Sequence, residues 1–215
     1  MINAHHIPAM TDETATDETL ISALWRVIAA HGWPGLTMRR LAAEAGTDTA
    51  ALRERFPTRL ELLLLHGRVI DQAVLAGTIP GQGGLARDRV FDVLMRRLDA
   101  MQPHREGILR LFEDMRRDPA LALALAPHIG IAMRWMLEAA EIEAKSCQAR
   151  LLAMGLAGVW LATIRAWARD ESPDMGSTMA ALDSALDRAE RIARPLGLLR
   201  GETPSPPSAE AAETS

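Results

Sequence analysis

Five arginines lie close together near the start of the chain, and their side chains could bind phosphate. They are Arg39, Arg40, Arg53, Arg55 and Arg59. A guanidinium group stays charged at neutral pH and can bind a phosphate through two parallel hydrogen bonds. Only three acidic residues accompany these five arginines in positions 36–60, so this segment carries a net charge of +2, whereas the whole chain carries −4. A contact with nucleic acid is therefore predicted for this segment and not for the chain as a whole.

The histidines and the single cysteine do not form a catalytic or metal-binding pattern. His31, His66, His104 and His128 are scattered along the chain, and Cys147 is its only cysteine. Their spacing places no Ser-His-Asp or Cys-His group, and no glycine-rich phosphate loop follows a predicted strand. One cysteine forms neither an internal disulfide nor a zinc knuckle. The sequence therefore predicts a protein that is not an enzyme and has no metal site and no cofactor.

The composition predicts an all-α fold. The chain has 215 residues, of which 48% are hydrophobic and only 4% aromatic, with no tyrosine. Its runs are rich in Ala, Leu, Met and Arg, which favour helix over strand. Hydrophobic residues recur at helical spacing, as at Leu20, Leu24 and Ile28. We expect an N-terminal three-helix domain followed by a C-terminal antiparallel helical bundle.

The arginines fall on two short predicted helices joined by a turn. Thr37 is a suitable N-cap for a helix over Met38–Ala45, and Asp48 or Thr47 can cap a second helix that ends by Phe56. Two helices at this spacing are typical of a helix-turn-helix, whose second helix enters a DNA major groove about 12 Å wide. An alternative is a helix-turn-helix that serves only as a scaffold.

Further helices follow this motif. Thr58-Arg59-Leu60-Glu61 has the pattern of a capping box and predicts a helix that runs to about Ala76. The glycine-rich segment 77–84 is the strongest internal boundary. Beyond it, helices are predicted over Arg87–Met101, Arg105–Arg116, Pro119–Ala126, Pro127–Glu141, Ser146–Arg169 and Gly176–Arg194.

The segment from Leu20 to about Leu65 resembles the TetR family of bacterial transcriptional repressors. The resemblance rests on Gly32-Trp33, Leu36-Thr37-Met38, Leu41-Ala42, Glu44-Ala45-Gly46-Thr47 and Phe56-Pro57-Thr58-Arg59. It implies a two-domain, all-α homodimer that binds double-stranded DNA at a palindromic operator through its N-terminal domain. It also implies that a small apolar or amphipathic ligand in the C-terminal domain releases the repressor.

The resemblance also implies which residues contact DNA. Thr37 and Arg39 match backbone contacts, Asp48 to Arg55 match the recognition helix, which includes Thr49 and Arg53, and Arg59 matches a phosphate contact. The family commonly has Gly-Thr-Leu-Tyr where this chain has Ala50-Ala51-Leu52-Arg53, so the usual tyrosine is absent. We expect Arg53 and Arg55 to replace its hydroxyl with charge-assisted hydrogen bonds.

A second resemblance concerns the segment Trp167–Asp174 with Thr178 and Leu182-Asp183. It is similar to the C-terminal pattern of lipid-binding accessory proteins of ubiquinone biosynthesis, which share the TetR-like fold. This resemblance implies an alternative function, lipid binding without DNA binding. A tight turn in which Asp and Ser cap the last helix would give the same pattern.

Two groups of apolar residues are candidates for ligand and partner contacts. Methionine and aromatic side chains suit an adaptable ligand pocket, and they are Phe91, Met95, Phe112, Met115, Met133, Trp135 and Met136. A dimer interface is predicted at Leu152, Leu156, Val159, Trp160, Met179, Leu182 and Leu186, where Gly155 and Gly158 would allow close helix approach. The alternative for both groups is ordinary core packing.

These expectations give the predicted organisation of the chain. Flexible tails are expected at 1–16 and 201–215, a helix-turn-helix DNA-binding domain at 17–76, and a ligand-binding and dimerisation domain at 85–197. The first twenty residues have no apolar stretch typical of a secretory signal. The longest nearly apolar stretch, Leu151–Ile164, has fourteen residues, fewer than the roughly 20 of a membrane helix. We therefore expect a cytoplasmic protein with no stable membrane insertion.

Overall fold

The computed structural model describes residues 16–81, 83–142, 144 and 146–198. The elements in this part of the chain are, in order, α1 (Asp17–Gly35), α2 (Met38–Ala45), α3 (Thr49–Arg55), α4 (Arg59–Ala76), α5 (Ala86–Met101), a 3-10 turn (Gln102–His104), α6 (Arg105–Met115), α7 (Pro119–Ala139), α8 (Ser146–Trp167) and α9 (Gly176–Ala193). The predicted all-α fold is confirmed. Apart from Thr16, both predicted tails lie outside the described residues.

The first three helices form the N-terminal helix-turn-helix unit. α1 packs on α2 and α4, and α2 packs on α3. Leu24, Ile28, Leu41 and Leu52 are buried between these helices. Burial of such side chains removes apolar surface from water, which is the main force holding short helices of this kind in place.

The predicted capping box at the start of α4 does not form. Thr58 is the N-cap residue, but its side chain accepts no capping hydrogen bond. The first turn is closed instead by the Glu61 N–H, which donates to the Thr58 carbonyl oxygen at 3.2 Å. The prediction of a helix over this segment is nevertheless confirmed, since α4 runs to Ala76.

The C-terminal bundle is built from α5 to α9. α8 packs on both α7 and α9, while α7 also packs on α4 and α5. Its core contains Leu94, Leu98, Met133, Met136 and Trp167, all essentially without exposed surface. α6 differs from the other helices of the bundle because its main partner is α1 of the N-terminal domain.

The division of α7 at Pro127 was predicted wrongly. Proline lacks an N–H and usually breaks or kinks a helix, but α7 continues through it as one helix of 21 residues. Leu121 lies before the proline, and Met133 and Met136 lie after it, and all three are buried. Their packing on the same core explains why the helix does not end at Pro127.

α7 and α8 are long and apolar enough to cross a membrane by length and composition. We expected the fourteen residues Leu151–Ile164 to be too short to cross a membrane. The helix that contains them, α8, has 22 residues. Both helices pack against other helices of the bundle. Because core helices of globular proteins pass the same test, these two do not indicate a membrane protein.

Candidate nucleic-acid interface

α3 is held at its start by Asp48. One carboxylate oxygen of Asp48 accepts hydrogen bonds from the N–H groups of Ala50 and Ala51, at 2.7 and 2.8 Å. Leu52 is buried and fixes the inner side of the helix, whereas Thr49 and Arg53 are exposed. α3 therefore presents Thr49 and Arg53 on its outer side, as a recognition helix requires.

α2 begins with a similar cap. The Thr37 hydroxyl accepts a hydrogen bond from the Arg40 N–H at 3.2 Å. Arg40 in turn donates from Nη1 to the Gly35 carbonyl oxygen at 2.7 Å, which ties the loop before α2 to the helix. Arg39, the residue before Arg40, is exposed. Thr37 thus has a clear local role, and Arg39 is open to an external phosphate.

The three other arginines of the motif all have partners within the chain. Arg53 donates to the Pro57 carbonyl oxygen at 2.7 Å. Arg55 forms an ion pair of 2.5 Å with Asp17 of α1, and its guanidinium carbon lies 5.1 Å from the Phe56 ring centroid. These contacts hold the end of α3 against its neighbours.

Arg59 is the most constrained of the arginines. Its Nη1 donates to the carbonyl oxygens of Trp33 and Leu36, at 3.2 and 2.9 Å. Its guanidinium carbon also lies 4.9 Å from the centroid of the Trp33 ring. Part of this guanidinium is therefore committed to the interior, which sequence spacing did not indicate because the partners lie more than twenty positions away.

An ion pair links the motif to α1. Glu44 of α2 forms an ion pair of 2.6 Å with Arg26 of α1. This pair balances one of the three acidic residues within the motif. Arg26 was not among the predicted residues because it lies on α1, before the two helices α2 and α3 that carry most of the predicted arginines.

The seven residues predicted for a ligand pocket do not share one surface. Met133 and Met136 are fully buried, Phe91, Met95, Phe112 and Met115 pack half-buried against the core, and Trp135 is 49% exposed. An open depression beside Trp135 is lined by Ile131, Arg134 and Glu138. Trp135 lies on the outer side of α7 together with Ile131 and Arg134, which are also exposed.

Most of the residues predicted for the dimer interface lie inside the chain's own core. Five of them are buried, namely Leu156, Val159, Trp160, Leu182 and Leu186, while Leu152 and Met179 are half-buried. The reason is that α8 packs on both α7 and α9, so its neighbours in the same chain cover this side. Within the single chain these side chains are therefore not a free surface.

A different side of α8 is open. Leu151, Met154 and Leu161 are 47%, 64% and 41% exposed. A Cβ added to Gly155 or Gly158 would meet no atom within 4 Å. These five residues recur at helical spacing and form what we call the outer face of α8.

The segment that follows α8 forms a cap for α9. Oδ2 of Asp170 accepts hydrogen bonds of 2.7 Å from both the N–H and the hydroxyl of Thr178, and Oδ1 accepts from the N–H and hydroxyl of Ser172. These bonds from Ser172 and Thr178 hold the pKa of Asp170 well below its usual range. Arg105 donates to the carbonyl oxygens of Trp167 and Asp170, each at 2.8 Å. Helix capping thus accounts for the segment on which the second resemblance rests.

The described residues contain no group of three or more His, Cys, Asp or Glu side chains that could hold a metal ion. His66 and His104 do lie near each other, but no acidic or cysteine side chain joins them there.

Residues 20–65 match the model of bacterial regulatory proteins of the tetR family. A curated protein, the HTH-type transcriptional regulator PksA of Bacillus subtilis (strain 168), is 29% identical over 109 residues. The match covers 50% of this chain and 51% of that protein, so it spans about half of the relative's length.

Solved structures resemble the chain over a longer range. A TetR transcriptional regulator from Nitrosomonas europaea has a TM-score of 0.65 at 19% identity, over 81% of this chain and 98% of that one. Another, from Rhodococcus sp. RHA1, has a TM-score of 0.60 at 17% identity, over 83% and 97% of the two chains. At these identities the likeness concerns the fold: an N-terminal helix-turn-helix unit and a C-terminal helical domain.

Proposed function

We propose that the chain is a sequence-specific DNA-binding transcriptional regulator, because residues 20–65 match the model of the tetR family. The observation that carries the proposal is the capped recognition helix, on which Asp48 fixes the start of α3 and leaves Thr49 and Arg53 exposed. The matched family is one of transcriptional regulators and not of enzymes.

The proposed contacts divide by chemistry. Arg39 and Arg53 would bind phosphate oxygens, and Thr49 would contact base edges, because all three side chains are exposed on α2 or α3. Thr37 and Asp48 support this surface by capping the two helices. The Nη1 group of Arg59 is used within the chain, so a phosphate contact would come from its Nε and Nη2 groups, which do not bond to Trp33 or Leu36.

We further propose that the protein is a repressor that binds a palindromic operator as a homodimer. One recognition helix reads only one half-site, and two helices must be held about one DNA turn apart to read both. The outer face of α8 supplies an apolar surface for this contact, since Leu151, Met154 and Leu161 have no partner among the described residues that buries them.

Release by a small apolar or amphipathic ligand completes the proposal. It is supported by the resemblance and by the methionines of the bundle, since Met133 and Met136 are flexible side chains in a core that could open around a ligand. A regulator of this kind acts in the cytoplasm, where the DNA is.

Genomic DNA pull-down followed by sequencing tests the proposal directly. We expect recovery of fragments that share a palindromic sequence. Mobility-shift titration of one such fragment should give a dissociation constant far below that of non-specific binding, which is about 10⁻⁴ to 10⁻⁶ M. A Thr49→Ala variant should lose preference for the fragment, whereas Arg134→Ala, on the outer side of α7, serves as the matched control. Binding that stays at the non-specific level would reject the proposal and favour the lipid-binding alternative.

A further inference from the structure

α1 and α6 are in very close contact at two points. At the first, a Cβ added to Gly107 of α6 would lie 2.5 Å from the Trp25 carbonyl oxygen. At the second, a Cβ added to Gly32 of α1 would lie 2.6 Å from Oδ2 of Asp114. The two points are separated by seven residues on each helix, so the helices run parallel and meet twice on one face. A larger side chain at Gly107 would meet the backbone of α1, and one at Gly32 would displace the Asp114 carboxylate.

Asp114 holds the end of α1 at the second of these points. Its side chain is 6% exposed, and its Oδ2 accepts a hydrogen bond of 2.6 Å from the backbone N–H of Trp33. The bond is possible because Gly32 has a φ of 68°, which interrupts α1 and turns the Trp33 N–H toward α6. Arg110 lies beside the carboxylate, with its Nε 3.8 Å from Oδ1. Asp114 thus fixes a backbone group of the N-terminal domain from the C-terminal bundle.

Trp33 connects this point to the start of α4. The Trp33 carbonyl oxygen and the Leu36 carbonyl oxygen both accept hydrogen bonds from Arg59, the first residue of α4, whose guanidinium also lies over the Trp33 ring. Residues 33–36 are therefore held from one side by Asp114 and from the other by Arg59. This short segment leads directly into Thr37, the cap of α2, and Arg59 follows α3 after a turn of three residues.

We propose that Asp114 is a positioning residue for DNA binding, which acts through Trp33 and Arg59 to set the orientation of α2 and α3 against the bundle. The inference rests on the proposed function, and it adds the route by which the bundle controls the DNA-binding helices. Asp114 itself lies on neither α2 nor α3, so its effect on DNA is indirect.

A double-mutant cycle between Asp114 and Arg59 tests this route. The wild type, Asp114→Ala, Arg59→Ala and the double variant are titrated with one DNA fragment recovered by the genomic pull-down. Loss of a hydrogen bond to a buried carboxylate is expected to shift the equilibrium between the positioned and the released segment by about tenfold to hundredfold. We therefore expect Asp114→Ala to weaken DNA binding by about tenfold or more. In the Arg59→Ala background the same change should cost less than about threefold, since the link to α4 is already lost.

The outcomes separate the inference from the proposed function. Additive losses, or a folded Asp114→Ala variant with wild-type affinity, overturn the role of Asp114 while DNA binding itself stands. If the wild type recovers no specific fragment, the proposed function is rejected, and the same cycle measured on the free energy of unfolding then tests the coupling alone. Glu106→Ala is the matched control, because Glu106 is an exposed carboxylate of the same helix and takes part in none of the ion pairs among the described residues.

Folding of the variants is checked by far-UV circular dichroism at the temperature of the titration. If Asp114→Ala is unfolded there, the cycle is run with Asp114→Asn, which keeps an oxygen that can accept from the Trp33 N–H. The neutral acceptor makes a weaker bond, so a smaller but still non-additive loss is expected. An additive loss, or none, overturns the inference in this form as well.

Discussion

The imidazole rings of His66 and His104 lie 5.3 Å apart, centroid to centroid, and meet almost at a right angle where α4 reaches the 3-10 turn. The Trp25 ring lies 5.0 Å from His66 and completes this cluster between the two domains. Burial is the main cause that lowers the pKa of His66 from 6.5 to about 3, and the nearby His104 and Arg97 contribute to the same shift. Burial also lowers the pKa of His104. The native protein therefore keeps these rings neutral.

Acid should destabilise the protein through His66. Below about pH 6.5 the unfolded chain binds a proton on this ring that the folded chain does not, so the free energy of unfolding falls as the pH falls. The slope expected from His66 is about 1.4 kcal/mol per pH unit between roughly pH 6 and pH 4. Urea unfolding of the wild type and of His66→Phe, which keeps an aromatic ring beside Trp25, measures it. The slope of the free energy of unfolding against pH should shrink in His66→Phe. It should persist in His31→Gln, the control, because His31 is exposed. Equal slopes in all three proteins would show that His66 is not responsible.

Removal of an exposed arginine should weaken binding to every DNA sequence alike. Arg39→Ala and Arg53→Ala are each expected to lower the salt slope of DNA binding by about one unit, because one phosphate contact is lost in each. Mobility-shift titrations over a range of salt concentrations give that slope. Arg134→Ala removes the same charge from the outer side of α7 and should leave the slope unchanged. A slope that falls equally in the control would indicate a general effect of net charge.

The helix-turn-helix was predictable because its signals are local. Thr37 and Asp48 cap α2 and α3 through hydrogen bonds to residues two or three positions ahead, and such short contacts leave a readable pattern in the sequence. The family comparison covers the same segment. The exposure of Thr49 and Arg53 follows from the burial of Leu52 on the other side of the helix.

Contacts between distant residues were not predictable in this way. The bond between Asp114 and the Trp33 N–H joins positions 81 apart, and no periodicity of either helix indicates it. The sequence also does not distinguish the inner side of α8 from its outer side, because that helix is apolar all round. Leu156 and Met154 are both apolar, yet only the packing of α7 and α9 makes the first buried and the second exposed.

Disruption of the outer face of α8 should separate a dimer. A Leu151→Arg, Met154→Glu double variant places charges on two exposed apolar positions, which costs little in the monomer and much in a buried interface. Sedimentation equilibrium at micromolar concentration should show a dimer for the wild type and a monomer for the variant. Leu123→Arg, at a residue of α7 that is 76% exposed, is the control and should remain dimeric. A wild-type monomer would contradict the palindromic operator, and a dimeric double variant would place the interface on another surface.

Replacement of Asp170 should destabilise the bundle without changing DNA specificity. Asp170→Asn keeps the shape of the side chain but removes the charge that binds Ser172 and Thr178, so we expect the free energy of unfolding to fall. Because these bonds lower the pKa of Asp170, its contribution is complete above the unfolded pKa near 4 and declines as the pH falls below it. Thermal unfolding at pH 7 measures the loss, and Glu171→Gln, which changes an exposed carboxylate next to Asp170, is the matched control. If Asp170→Asn were as stable as the wild type, the segment after α8 would not be a structural cap, and the resemblance to lipid-binding proteins would gain weight.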